Sequence, residues 1–291
     1  MSGPLPLSRK ESIRAADSRT ILSHTSGYIA LAGFTHSLTP ARNCTYGCIY
    51  CYVPTMRVFG GLKREDWERW GQFTTFKRNA AELLAKELRP EQRIYCSPLV
   101  DPYQPAEASQ QLMPEILSAV SHARPAVFTI QTRGTLIERD LPLLKDISKQ
   151  IRLRVSFSIT TDDEGVRKLY EPHCEPIPER FATVKRLREA GIDVFATLAP
   201  LLPCNPERLA ALCLEATENN LIGDPLHVRA TKASGATTRE QAWSVAVHQH
   251  HEPWFDPVFQ TRAVDRIRAV VERSGRRLGI GPEGFSWLAQ T

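Results

Sequence analysis

Cys44, Cys48 and Cys51 fall within eight residues of one another in the run CTYGCIYC. Three soft thiolates at that spacing can wrap one compact metal centre, and thiolates are the usual ligands of iron–sulfur clusters. A structural zinc site would ordinarily complete its tetrahedron with a fourth Cys or His, commonly from a second paired knuckle, and the chain has no second C-x-x-C. Three ligands leave one metal position open to a further molecule. Gly47, lacking a Cβ, suits a tight backbone turn between the two thiolate arms.

Four more cysteines, Cys96, Cys174, Cys204 and Cys213, lie downstream. No apolar run of signal-peptide length opens the chain, and no stretch reaches the roughly 18 apolar residues of a membrane helix. The expected location is the cytoplasm, where thiols stay reduced and serve in ligation, catalysis or packing rather than in disulfides. His248, His250 and His251, in VHQHHEPWF, carry metal-ligating types but read as an exposed loop. A net charge of +5 suits an anionic partner and is too mild to identify nucleic acid.

The elements that must position these residues alternate. Short β-branched or apolar runs at 29–38, 93–97, 126–131, 152–159, 192–198 and 226–230 predict strands. Helical patterns at 79–88, 109–123, 140–150, 179–190 and 206–218 lie between them, which implies parallel βα units. In the fourth helix Phe181, Val184 and Leu187 mark the apolar face, and Gly191 is the expected stop. Six such units build either a doubly wound sheet or an incomplete barrel. In both, ligands gather at the carboxyl ends of the strands. The first strand runs directly into the cysteine loop, which puts the thiolates at that edge. The expected organisation is an N-terminal extension at 1–28, one catalytic core at 29–235 and a C-terminal helical extension at 236–291. The irregular segment 52–76 reads equally as a lid or as a packed surface excursion.

With Tyr50 as its aromatic, CTYGCIYC matches C-x3-C-x-aromatic-C and resembles the signature of the radical S-adenosylmethionine superfamily. Further runs look like the branch related to spore photoproduct lyase, the DNA repair photolyase-like proteins. These are SPLVDPYQPAE at 97–107, TRG at 132–134, SFSITTDDE at 156–164, EP at 171–172, and the stretch from Arg180 through REAGI to TLAPLLP. The resemblance implies an α/β fold, a (β/α)6 partial TIM barrel with N- and C-terminal extensions. It also implies an enzyme that holds a [4Fe–4S] cluster on Cys44, Cys48 and Cys51. In that superfamily the open iron is chelated by S-adenosylmethionine, and a cluster electron cleaves the sulfonium to a 5′-deoxyadenosyl radical that abstracts hydrogen. An electron donor such as flavodoxin or ferredoxin is implied, with damaged DNA among the candidate substrates.

By the same resemblance, the backbone around Tyr50 would contact the adenine and Ser97 the cofactor's ribose or amino-acid part. Arg133 falls where lyase-like relatives carry a lysine near the cofactor carboxylate, and Ser158 ends the fourth strand facing the same region. Arg suits bidentate carboxylate recognition, and a hydroxyl can bond a ribose. Plain alternatives stand beside these roles: both serines as strand ends, and Arg133 as a solvated loop charge. Asp101, Tyr103, Gln104 and Glu107 read as a polar rim over the pocket or as turn and cap residues. Glu171 precedes Pro172 and is placed to pair with Arg180. Cys96-Ser97 matches a dipeptide whose cysteine donates hydrogen in spore photoproduct lyase, against the alternative that Cys96 packs as a small hydrophobe. A rival from another class is a metal-stabilised nucleic-acid-binding module that uses Tyr46, Tyr50, Tyr52, Trp67 and Trp70.

Overall fold

A computed structural model describes residues 12–55, 69–226 and 240–291. Eleven strands form two sheets among these residues. The larger sheet runs in the order β11-β10-β9-β8-β7-β6-β3-β2, with strands β2 (Leu22–His24), β3 (His36–Leu38), β6 (Arg93–Cys96), β7 (Val127–Thr132), β8 (Arg152–Ser158), β9 (Asp193–Leu201), β10 (Leu221–Pro225) and β11 (Leu278–Ile280). Every neighbouring pair is parallel except β2 with β3. Helices cross between the parallel strands, so β3 and β6–β10 supply the six βα units of a partial barrel, and β11 extends its edge.

The first and last expected strands are corrected. Residues 29–38 do not form one strand: Gly27–Leu31 is a short helix, Gly33 turns the chain at φ +91°, and only His36–Leu38 pairs. The sixth strand is Leu221–Pro225; 227–230 lie outside the described residues. The helical pattern at 109–123 is broken by Gln111, at φ 53°, into Glu107–Gln110 and Leu112–Ala123. Restarting there puts Pro114 in a first turn, where its missing N–H costs nothing. The Glu107 carboxylate accepts the Met113 N–H at 2.8 Å beside the new start. His248 lies in the last turn of the helix Glu240–Gln249 rather than in a loop.

Side chains alternate across the pleat. Tyr95 and Phe195 turn into the barrel, where they meet Ile222, Phe285 and Leu288. The next residues along, Cys96 and Ala196, join the larger core that also takes in the surrounding helices. The interior is closed at the amino ends of the strands by the C-terminal segment. Thr129 Oγ1 donates to Leu288 O at 2.9 Å, and Arg154 Nη1 donates to Leu288 O at 3.2 Å and also to Gln290 O. Asp193 pairs with Arg154 Nε at 3.1 Å.

A second sheet, β1 (Ser12–Ala16), β5 (Phe73–Lys77) and β4 (Ala41–Arg42), brackets the cysteine loop, because β4 leads into it and β5 returns after it. Of the expected lid, 56–68 lie outside the described residues, while 73–77 is this strand β5.

Replacing Arg154 by Ala removes its hydrogen bonds to the Leu288 and Gln290 carbonyls and its ion pair with Asp193 at the closed end, so a loss of roughly 2–3 kcal/mol is expected in urea denaturation. The exposed neighbour Arg152→Ala should change stability by less than about 0.5 kcal/mol.

Candidate active site

The cysteine loop follows β3 and β4 at the carboxyl end of the barrel, and its backbone is pinned from beneath. Thr45 N donates to Gln104 Oε1 at 2.8 Å, and Gln104 Nε2 donates to Asn43 O at 3.3 Å. The Thr74 hydroxyl lies 3.1 Å from both Arg42 O and Asn43 O. Gly47, at φ +59°, packs against Gly71, at φ +86°; a Cβ on Gly71 would lie 2.7 Å from Gly47 Cα. Both glycines therefore permit the turn and its close cover.

The second wall comes from the loop after β7. A Cβ on Gly134 would meet Tyr103 O and the Tyr46 hydroxyl at 2.5 Å each, so the glycine of TRG lets this loop lie against the cysteine loop. Asp101 fixes its root: one carboxylate oxygen accepts from Arg133 N at 2.8 Å, the other from Thr132 Oγ1 at 2.6 Å and Tyr103 N at 2.9 Å. The Arg133 guanidinium then reaches across the cysteine loop. It stands 3.6 Å from Cys48 Sγ, donates to the Tyr50 hydroxyl and pairs with Glu171.

Glu171 is fully buried and gathers partners from several elements. Its Oε1 accepts from Tyr50 at 2.5 Å and from Thr160 at 2.8 Å, and its Oε2 from Arg180 at 2.6 Å. Arg180 also donates to Ser158 O. Burial alone would raise the carboxyl pKa, yet the Arg180 and Arg133 guanidiniums hold it down from the ordinary 4.5 to about 2. The expected Glu171–Arg180 pair is present. Missed in the sequence was that Arg133 and Tyr50 share the same carboxylate. The available signal was position: Ile177, Arg180, Val184 and Leu187 repeat at helical spacing, so Arg180 stands in the apolar stripe and needs a buried counter-charge.

Cys44 and Cys48 are 8% and 7% exposed, and Cys51 is half-buried. Among the described residues no three His, Cys, Asp or Glu side chains already converge as they would around a metal ion, the His248 segment included. Cys174 lies beyond the helix Glu164–Tyr170 and beside Cys48. Its thiol hydrogen-bonds Cys48, and with Arg133 it holds the Cys48 thiol below its ordinary range despite burial. Burial, with Asp101 adding to it, pushes the Cys44 thiol up. None of the seven cysteines forms a disulfide. The donor set is soft, tightly spaced and served by a fixed cation, which fits an iron–sulfur cluster.

Ser97 follows β6, and its buried hydroxyl has no hydrogen-bond partner among the described residues. Ser158 ends β8 and accepts from Gln131 Nε2 at 2.6 Å, while Gln131 accepts from the Tyr95 hydroxyl at 2.7 Å. Ser97, Arg133 and Ser158 thus stand at the carboxyl ends of adjacent strands. Cys96 is fully buried in the larger core, and burial, with Asp101 and Glu107, raises its thiol pKa. DPYQPAE is scaffold rather than rim, since Tyr103 and Gln104 are fully buried and Glu107 is 1% exposed. Of the aromatics named for a nucleic-acid-binding module, Tyr46, Tyr50 and Trp70 are buried, at 1%, 7% and 5% exposed, Tyr52 is 37% exposed, and Trp67 lies outside the described residues.

A family model described as the Radical SAM superfamily matches residues 38–214, which spans this whole constellation from β3 to the helix Pro206–Ala216. The chain belongs to the radical SAM superfamily. Enzymes of this superfamily use a [4Fe–4S] cluster and S-adenosylmethionine. The chain is similar to an uncharacterised protein of Mycobacterium tuberculosis, with 31% identity over 175 residues, 58% of this chain and 50% of that one. An uncharacterised protein of Methanocaldococcus jannaschii is 29% identical over 60% of this chain and 62% of its own length. The chain therefore spans about half the length of the first of these relatives. Among solved structures, a spore photoproduct lyase variant superposes with a TM-score of 0.65 at 14% identity, covering 94% of this chain and 82% of that one. Another variant of that lyase, with bound AdoMet and dinucleoside spore photoproduct, gives 0.61 at the same identity and coverage. At that identity the likeness is one of fold.

Glu171 sets a pH dependence. Its pKa is depressed on folding, so its contribution, on the order of 3 kcal/mol, is present above about pH 4.5 and is lost as pH falls through about 2. In urea denaturation of metal-free protein, the stability gap between wild type and Glu171→Gln should narrow steadily from pH 5 downward.

Proposed function

We propose that this radical SAM protein is an enzyme that binds a [4Fe–4S] cluster through Cys44, Cys48 and Cys51 and uses S-adenosylmethionine to abstract hydrogen from its substrate. The observation that carries this reading is the Arg133 guanidinium, fixed at the carboxyl end of the barrel and reaching both Cys48 and Tyr50. Bound there, the cluster would supply the electron that cleaves S-adenosylmethionine to a 5′-deoxyadenosyl radical.

The chain's own residues bind and orient. The thiols of the cysteine loop ligate iron, with Cys48 already biased toward the thiolate that ligation needs. Arg133 pairs with the cofactor carboxylate, as its planar fork allows. Ser97 offers a buried hydroxyl still lacking a partner among the described residues, suited to the ribose or the amino-acid part of the cofactor. Ser158 and the backbone around Tyr50 complete the cofactor's surroundings. For Cys96 we favour packing over hydrogen donation, because it lies one residue past the inward-facing Tyr95 and within the larger core.

For substrate we propose damaged DNA in a lyase-like reaction, supported by the fold shared with spore photoproduct lyase and by the net charge of +5. A flavodoxin or ferredoxin would donate the electron. Seven cysteines without a disulfide suit the reducing cytoplasm, and no helix among the described residues is long and apolar enough to cross a membrane.

Anaerobic reconstitution should give about four irons per chain, and dithionite should then yield 5′-deoxyadenosine, detected by liquid chromatography. Cys48→Ala should abolish both. An intact cluster that yields no 5′-deoxyadenosine would overturn the catalytic reading. With photoproduct-containing DNA, lesion reversal is expected and should persist in Cys96→Ala; no turnover across a panel of lesions would remove the DNA substrate alone.

A further inference from the structure

The carboxylate of Glu171 does more than neutralise one buried cation. Its Oε2 accepts from Arg180 at 2.6 Å. Its Oε1 gathers the Tyr50 hydroxyl at 2.5 Å, Thr160 at 2.8 Å and Arg133. Arg180, itself fully buried, keeps Glu171 ionised while that second oxygen serves the site.

Arg133 is consequently held at both ends. Asp101 accepts from its backbone N–H at 2.8 Å and stands 4.0 Å from Nε. At the tip, Nη1 is taken by Glu171, Tyr50 and Cys48. Nη2 makes no hydrogen bond among the described residues, and the side chain is 15% exposed. A guanidinium is a rigid planar fork, so fixing one terminal nitrogen and the root fixes the direction in which the other presents its donors.

We propose that Glu171 is the positioning residue of the cofactor's carboxylate site: it clamps Arg133 and Tyr50 beside Cys48 so that Arg133 meets the carboxylate of S-adenosylmethionine in a single orientation. The inference rests on the function proposed above. Glu171 touches neither the cofactor nor the cluster; it spares Arg133 the entropy of finding that orientation at each binding event. Were Glu171 purely a partner of Arg180, its replacement would weaken the protein without singling out Arg133.

A double-mutant cycle separates the two roles. The dissociation constant of S-adenosylmethionine is measured by anaerobic equilibrium dialysis on cluster-loaded protein, with iron content and thermal midpoint recorded for each variant. Glu171→Gln keeps the shape and removes the charge, and it should weaken binding roughly 10-fold or more in the wild-type background. On an Arg133→Ala background the same substitution should change binding less than about 2-fold. Equal factors in both backgrounds, or no change in either, would overturn the proposal. If Glu171→Gln fails to fold, Thr160→Val removes one Oε1 partner without altering charge, and its effect should likewise vanish once Arg133 is gone. Wild-type protein that carries the cluster yet binds no S-adenosylmethionine would instead overturn the cofactor reading itself.

Discussion

A carboxylate fully withdrawn from water is tolerated only where its charge is matched and its lone pairs are filled. Glu171 meets both conditions by drawing on four parts of the chain: Tyr50 in the cysteine loop, Arg133 after β7, Thr160 after β8 and Arg180 in the helix Ile177–Glu189. The same requirement that keeps this charge stable therefore draws three loops at the barrel mouth together. Removing any one partner leaves the others around an under-compensated buried ion, which is why the geometry at Cys48 depends on a residue outside the cysteine loop.

The two ends of the barrel divide the work. At the amino ends of the strands, Thr129 and Arg154 bond the carbonyls of the C-terminal segment, and Phe285 and Leu288 fill the interior beside Tyr95 and Phe195. That end is satisfied by the chain itself. At the carboxyl ends, Ser97 is a buried hydroxyl without a partner among the described residues, and the Arg133 side chain, 15% exposed, holds its neighbours through Nη1. An unpartnered hydroxyl at the carboxyl ends of the strands stands where a ligand could complete it. Between the two ends, the Tyr95–Gln131–Ser158 relay links the filled interior to the mouth.

Much of this was legible in the sequence because it rests on local rules. Period and length marked β6 to β9 and the five crossing helices, and the short spacing of Cys44, Cys48 and Cys51 marked the metal chemistry. Gly47 serves the tight turn that its missing Cβ suggested. What escaped was non-local. Residues 29–38 carry a strand-like composition, but Gly33 breaks the run, and Tyr28 and Ile29 pack against the inner cluster as a short helix. Cys174 is remote from Cys48 in sequence, so spacing offers no hint of their contact. Arg180 is one of several basic residues in its helix; only its place within the apolar stripe marks it as buried. The exchange of DPYQPAE from rim to scaffold follows from burial of Tyr103 and Gln104, which composition does not reveal.

The central claim is that three thiols and a clamped arginine form a site where one iron of a cluster stays open to S-adenosylmethionine. Mössbauer spectroscopy of iron-57-loaded protein tests it most directly, by comparing spectra before and after the cofactor is added. One iron of about four should become distinct from the rest on addition. A spectrum unchanged by S-adenosylmethionine would contradict it, as would reconstituted protein that takes up zinc and no iron.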